Sequence, residues 1–457
     1  LFDGFGEISN DGVWNRSFSG PASAQSNRYI RYDTFWTYSD QDRLRTYTAG
    51  DLVTGALPWT SAVRMGGVAV ARDFAVRPDL ITYPLPAFSG QAAVPTTLDL
   101  FINGVQTSHN QIRPGPFTIN DTPFINGAGQ ATVVTTDALG RQVSTTVPFY
   151  VASTMLQQGL ADYAFSLGAL RKNYGLRSFD YGAVGASGSL RYGLSDALTL
   201  ESHAEAAGHL ALGGVGANVA VGHWGTLNVA GAGSRSRGLG GRQWSVGYSY
   251  YAPVFGWAMQ HLQRSAGYTD LARYADGYGQ IIRRSDQISF ALSLGRFGNL
   301  GLGYFDVRTG SGRQLLGNLL PINSLPGQPL PPVVAGDNPV SSFVAPGSRT
   351  RLASLSWTKS LWRRVSLYLY VNRDIDGGGY SGQLQWLIQL DDSSTLTAAT
   401  QRDDRGGVSE QLRYSRNVPT QGGLGWNLAY AGGNLHYSQA DLAWRTPYAQ
   451  LQGGVYG

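Results

Sequence analysis

Cysteine is absent from all 457 residues, which excludes a disulfide framework and any thiolate metal site. Lysine occurs only at Lys172 and Lys359, so the formal net charge of +5 rests almost wholly on arginine. The basic residues form no run and fall at expected turns and loops, unlike the patch of a nucleic-acid binder. No stretch approaches 18 consecutive apolar residues, which excludes a transmembrane helix. A transmembrane barrel is not excluded, because its strands alternate and hide their hydrophobicity from averaging. Charged residues make up only 14% of the chain, against roughly a quarter in ordinary globular domains. Leu1-Phe2-Asp3-Gly4 shows neither a basic nor an apolar leader region, and the chain ends on Val455-Tyr456-Gly457. It reads as a segment of a longer protein.

Glycine is abundant, at 61 residues, and aromatics reach 12%. That mixture suits many strands joined by tight turns. Several windows alternate strictly with period 2. Leu384, Trp386 and Ile388 oppose Gln383, Gln385 and Gln389, while Trp244, Val246 and Tyr248 oppose Gln243, Ser245 and Gly247. One face is apolar and aromatic; the other is small or amide-bearing. About seventeen such strands are expected after Leu160, with no helix of normal length among them. A soluble sheet needs a second layer over its apolar face, and only lipid could cover so many. Connections alternate too. Gly193–Ala197, His223–Thr226, Arg296–Asn299 and Leu361–Arg364 read as tight, whereas Arg171–Tyr181, Ser234–Gly241, Gly267–Arg284, Thr309–Ser348 and Arg373–Tyr380 read as long. Outer-membrane barrels show this asymmetry between periplasmic turns and extracellular loops. Tyr268 to Ala275 is the best short-helix candidate, with Thr269 or Asp270 as its cap and Gly277 as its end. About five strands are expected before Pro78, the first two at residues 4–9 and 13–19.

Residues 77–90 break the pattern. Pro78, Pro84 and Pro86 make a linker with one edge strand. Short strands follow in TTLDLFING, VQTSHNQI, GPFTIND and the hairpin QATVVTTDALGRQVSTTVPFYV, enough for a small β-sandwich of roughly 70 residues. Ala138-Leu139-Gly140 turns the hairpin.

Chemical motifs are sparse. HAEAAGH places His203 and Glu205 on one strand face, with His209 nearby, so a metal or acid–base pair is conceivable. The plainer reading is a polar face near an extracellular loop, since no third ligand is visible. The glycine-rich stretches lack the spacing of a phosphate-binding loop and open no helix. No Ser/His/Asp arrangement has local support, so the chain is not read as an enzyme and implies no cofactor.

The run from VRMGGVAVARDF through IRPGPFTINDTP and TTDALGRQV to LADYAFSLGALRKNYG resembles the pore region of fimbrial outer-membrane ushers of the chaperone–usher pathway. The likeness is strongest over 62–175. It implies an all-β fold: a large antiparallel transmembrane β-barrel, on the order of two dozen strands, with an inserted Ig-like β-sandwich plug. Residues 1–79 would be early barrel strands, 80–152 the plug and 153–457 the remaining barrel. The family's first barrel strand and its flanking N-terminal chaperone-binding and C-terminal domains would lie outside this chain. The implied role is passage of pilus subunits delivered by a periplasmic chaperone across the outer membrane of a Gram-negative bacterium. Partners would then be chaperone–subunit complexes, pilus subunits, the bilayer with its lipopolysaccharide, and a second copy, with no nucleic acid. The resemblance places Leu57, Pro58 and Trp59 in a hairpin against the plug, and Leu271, Ala272 and Arg273 in a helix capping it. Arg64, Arg72, Asp73, Arg77, Asp79, Arg113 and Asp121 surround the plug in sequence and are expected either as a displaceable charged latch or as solvated loop charge. A plugged nutrient transporter and a barrel enzyme are the rivals. The former would place its plug before the barrel, and the latter needs no inserted sandwich.

Overall fold

The structure is a computed structural model, and it describes residues 4–15, 28–84, 88–92, 96–102, 105–112, 115–119, 127–137, 142–175, 177–275, 281–315, 342–345, 347–404, 407–433 and 436–456. It divides into two compact units: Leu1–Tyr250 with Gln260–Ser285 and Arg308–Ser348, and Tyr251–Met259 with Asp286–Val307 and Arg349–Gly457.

The first unit opens with β1 (Glu7–Asn15), β2 (Arg28–Asp40), β3 (Arg45–Val53) and β4 (Arg64–Arg72). Among the described residues four strands stand where five were expected. Asn10-Asp11-Gly12 looks like a turn in sequence, but it is a register shift inside one strand that pairs with β2 on both sides. A bulge absorbs the extra residue without ending the ladder.

Six strands follow, four of them short: β5 (Phe88–Ala92), β6 (Thr96–Ile102), β7 (Val105–Ile112), β8 (Gly115–Ile119), β9 (Gly127–Asp137) and β10 (Gln142–Val151). They form a four-stranded sheet in the order β10-β9-β6-β7 and a separate pair β5-β8. The expected turn at 138–140 lies outside the described residues.

The chain then returns to long strands. These are β11 (Ala161–Arg171), β12 (Tyr181–Ser195), β13 (Leu198–Ala207), β14 (Leu210–Ala220), β15 (Thr226–Ser236), β16 (Leu239–Tyr251) and β17 (Phe255–Arg264). Strand β11 pairs antiparallel with β4 on one side and β12 on the other, so the insert leaves and re-enters the same ladder. The helix α1 (Leu271–Ala275) follows, then β18 (Ile282–Ser293), β19 (Asn299–Thr309), β20 (Gly312–Leu315) and β21 (Ser342–Ala345). The second unit contains β22 (Arg349–Trp362), β23 (Val365–Asp374), β24 (Tyr380–Gln389), β25 (Ser394–Asp403), β26 (Val408–Arg416), β27 (Gly423–Gly433), β28 (Tyr437–Arg445) and β29 (Gln450–Tyr456), a continuous antiparallel meander. Among the described residues twenty-one strands belong to the long ladders, seventeen of them after Leu160.

One expected long connection is short. Between β15 and β16 only Arg237 and Gly238 intervene, both at positive φ (49° and 83°). That is a two-residue hairpin of the mirror-turn kind, whose twist matches its flanking strands. Gly238 supplies one left-handed residue and Arg237 is forced into the other.

Burial is inverted relative to a soluble sheet. On β13, Thr199 is 0% exposed while neighbouring Leu200 is 41% exposed. Glu201, His203 and Glu205 are buried; Ala204 and Ala206 point outward. Trp244 is exposed and Gln243 and Ser245 are buried. In the second unit Leu384, Trp386, Leu412, Leu442 and Trp444 face outward. Exposed apolar surface on this scale is not sustained in water by a monomeric protein, but it is the normal exterior of a membrane barrel.

Candidate functional site

The buried polar face of β12–β16 is occupied. Residues 54–63, which join β3 to β4, fold over it as a closed loop. Thr54 N donates to Val63 O at 2.9 Å, and Val63 N donates to the Thr54 hydroxyl at 3.0 Å. At the tip, Leu57 N donates to Thr60 Oγ1 at 2.8 Å and Thr60 N to Leu57 O at 3.0 Å. Leu57 and Trp59 are buried, and Pro58 between them is exposed. They pack with Leu212, Ala232, Tyr268 and Ile281.

Trp59 lies against two glycines of β14. A Cβ at Gly214 would come within 2.7 Å of its ring, and one at Gly216 within 2.9 Å of its Nε1. Only glycine lets the indole approach this closely. The indole N–H donates to Glu201 Oε2 at 2.9 Å. The other oxygen of Glu201 accepts from Asn218 Nδ2 at 2.7 Å and Arg191 Nε at 3.2 Å. Gln243 Nε2 donates to the Trp59 carbonyl at 2.6 Å and itself accepts from Arg264 Nε at 2.6 Å. A buried carboxylate is costly unless each lone pair is used, and Glu201 has three donors.

The helix sits beside this loop. Glu205 Oε2 accepts from Leu271 N at 2.6 Å, while Oε1 meets His203 Nε2 at 2.9 Å. Asp270 caps α1 as expected, accepting from Arg273 N at 2.9 Å. Its second oxygen accepts from Ser61 Oγ at 3.0 Å, tying the helix to the loop. Leu271 is fully buried with Leu52, Met65, Leu170, Ala207 and Leu210; Ala272 packs at the edge of that cluster. Arg273 turns back onto the Ala266 and Tyr268 carbonyls. Burial, reinforced by the Asp270 charge, pushes the Tyr268 phenol well above its ordinary pKa.

A third segment joins the same network. Residues 152–160 lead from the insert back to β11. Leu156 N donates to Thr199 Oγ1 at 2.9 Å, and Gln158 N to Asp196 Oδ1 at 3.1 Å. Arg191 Nη2 donates to the Thr154 carbonyl, and its Nη1 pairs with Asp162 at 3.5 Å. Arg191 therefore touches the insert's return segment with one nitrogen and the Trp59 anchor with another. Gln157 N also donates to Thr82 O at 2.8 Å, joining the insert's exit to its entry.

The sequence-derived residues fall into separate groups. Leu57 and Trp59 pack in one apolar cluster on this face and Leu271 in another. The five described charged residues do not gather in one place. Arg64 begins β4 and pairs with Asp33 at 3.0 Å. Arg72 ends the same strand, over the Phe74 ring at 5.0 Å; eight residues of strand put the two about 26 Å apart. Asp73 accepts from Ala75 N at 2.9 Å and Thr46 Oγ1 at 3.1 Å. Arg77 and Asp79 pair with each other at 2.7 Å on an exposed turn, which holds the Asp79 carboxyl below its usual range. Arg113 and Asp121 lie outside the described residues. The conceivable metal pair is also reassigned. Both Glu205 oxygens are taken by His203 and the helix amide, and His209 is exposed rather than beside them. Among the described residues no cluster of three metal-ligating side chains occurs.

Glu201, Arg191 and Asn218 went unrecognised in sequence, and the roles of Glu205 as a helix anchor and Gln243 as a loop anchor were not visible there. One signal was available for the carboxylates: three ionisable groups, Glu201, His203 and Glu205, at period 2 within a membrane-length strand, on the face opposite Leu200.

Lipid-facing strands, an inserted pair of small sheets and a packed polar face define the class: a membrane β-barrel with internal furniture. The family described as "Outer membrane usher protein" matches residues 46–277. The chain belongs to that family. It is therefore a large antiparallel barrel of the Gram-negative outer membrane, and none of its described helices is long and apolar enough to cross a membrane. The chain is similar to the outer membrane usher protein YehB of Escherichia coli K12, 25% identical over 194 residues, 42% of this chain and 22% of the relative. It is similar to the F1 capsule-anchoring protein of Yersinia pestis, 25% identical over 195 residues, 42% of this chain and 23% of the relative. It is also similar to the outer membrane usher protein FimC of Bordetella pertussis, 31% identical over 110 residues, 24% of this chain and 12% of the relative. The matched regions thus span under a quarter of each of these relatives. Among solved structures, the E. coli P pilus tip assembly intermediate PapC-PapD-PapK-PapG superposes with a TM-score of 0.61 at 15% identity, over 98% of this chain and 54% of the other.

Proposed function

We propose that this chain is the translocation pore of an usher. It passes pilus subunits, delivered by a periplasmic chaperone, across the outer membrane, and residues 80–152 act as its plug. The observation that carries the reading is Arg191. It holds the insert's return segment at the Thr154 carbonyl and the hairpin anchor at Glu201. Arg191 thereby fastens hairpin and return segment to the polar face that also holds the helix through Glu205, as a displaceable gate requires. Polar bonds suit such a gate because water can replace them when it moves. Subunits would join by β-augmentation, one chain's strand completing another's sandwich. The pore would supply position and passage, with no bond chemistry and no cofactor. Arg113 and Asp121 remain candidates for a latch on the plug itself.

The test is genetic. Deleting the gene in its host should abolish surface fibres under the electron microscope and leave chaperone-bound subunits in the periplasm. Undiminished fibres would overturn the reading.

A further inference from the structure

The outward face carries a feature that gating does not use. Along one ladder, Ala49, Val68 and Leu167 are cross-strand neighbours, and Val68 and Leu167 are exposed to lipid. Two residues further along each strand, on the same face, stand Asp51, Gly66 and Ala169. A side chain at Gly66 would run into the ring of Tyr181, so Tyr181 also lies on the outward face.

Around it is a charged, aromatic cluster. Asp51 accepts from Arg31, from Tyr181 Oη at 2.6 Å and from Thr34 N at 2.9 Å. Arg64 pairs with Asp33 at 3.0 Å and lies over Tyr174, whose hydroxyl donates to Asp33 at 2.7 Å. Both carboxylates are thus spent on Arg31 and Arg64. Arg171 lies 4.8 Å from the Tyr181 ring centroid and donates only to carbonyls, from Nη2 to Arg31 O at 3.3 Å and Arg177 O at 3.2 Å. Its Nε and Nη1 have no hydrogen-bond partner, although the residue is only 7% exposed. Three guanidinium groups face two carboxylates on a surface that otherwise meets hydrocarbon.

The position along the strands says what supplies the missing anion. Arg171 ends β11, Tyr181 begins β12, and Arg64 begins β4. These are the ends joined by the longer connections 54–63 and 172–180, whereas residues 41–44 and 196–197 close the opposite ends. Longer connections mark the extracellular side of an outer-membrane barrel. Phe179, 69% exposed and at φ 52°, lies over Arg31 at 4.2 Å, and with Tyr29 it lines a groove of about 790 Å³. A non-glycine residue held at positive φ stores strain that surrounding structure must offset.

We propose that this cluster is a binding site for the phosphorylated headgroup of an outer-leaflet glycolipid, the lipid A portion of lipopolysaccharide. Its phosphate would balance the excess guanidinium charge, and its acyl chains would lie along Val68, Leu167 and the exposed Val184, the cross-strand neighbour of Ala169 on β12. The assignment rests on the extracellular reading of the longer loops but not on pilus assembly.

The full-length protein in detergent is titrated with lipid A carrying both phosphates, dephosphorylated lipid A, phosphatidylglycerol and inorganic phosphate. The account expects bisphosphorylated lipid A to bind most tightly, to weaken with rising salt, and to lose about tenfold in Arg171→Met, which is about 1.4 kcal/mol. Arg171→Lys should recover part of that loss. Equal binding of dephosphorylated lipid A by the unaltered protein would overturn the proposal without any variant. Preference for phosphatidylglycerol would place the cluster in the inner leaflet and overturn it. Inorganic phosphate binding as tightly as lipid A would make it a free-anion site and also overturn it.

Discussion

Trp59→Ala is the sharpest perturbation of the gate. The side chain is 4% exposed, and truncating a buried tryptophan typically costs 3–5 kcal/mol. Loss of the bond from its indole N–H to Glu201 accounts for about 1.5–3 kcal/mol within that, as expected for a hydrogen bond to a charged group. Glu201 keeps Asn218 and Arg191, so it is not left unpaired, and the strands behind it are untouched. The cost therefore falls on loop position rather than on the barrel. A shift of 3–5 kcal/mol corresponds to a factor of about 10² to 10³ or more in the equilibrium between docked and released loop. Single-channel recording in planar bilayers reads this directly: long openings should replace rare ones. Trp59→Phe, which keeps most of the packing and loses the donor, should fall between. Heat-modified mobility on gels checks that the barrel is intact. A correctly inserted Trp59→Ala protein that stays as closed as the unaltered one would refute the claim that the loop restrains the gate.

Three further outcomes follow from the same contacts. Glu205→Gln removes the charge at the start of α1, and limited proteolysis should cut between residues 265 and 281 several-fold faster; equal rates would count against the anchor. Tyr268 has a raised phenol pKa, so its contribution to stability is complete below about pH 10, the unfolded value, and is lost as pH rises through the folded value. The melting temperature above pH 10 should fall more steeply in the unaltered protein than in Tyr268→Phe. Arg113→Ala or Asp121→Ala should raise sensitivity of cells to large antibiotics if those residues latch the plug, and unchanged sensitivity would release them from that role.

What could be read in the sequence was local. Alternation such as Leu384, Trp386 and Ile388 against the glutamines gave the strands, because period 2 is a property of one strand alone. Asp270 was recognisable as a cap because it acts within three residues. The anchor was not recognisable. Trp59 and Glu201 meet across 142 residues, and nothing local to either records the other. His203 and Glu205 were visible as a pair on one face, yet their partner is the amide of Leu271, which no motif announces. The Arg237-Gly238 turn was mistaken for part of a long loop because the glycines around it masked the true strand ends. Asn10-Asp11-Gly12 misled in the opposite direction, since turn chemistry also serves a bulge. The seven charged residues were grouped by nearness in sequence, but Arg64 and Arg72 occupy opposite ends of one strand.

The central claim is that residues 80–152 close the pore and that the polar face of β12–β16 holds them there. Its most direct test is bilayer conductance of the full-length protein with and without Leu80–Ala152. The account predicts a large, steady conductance after deletion. Conductance as low as before would contradict it.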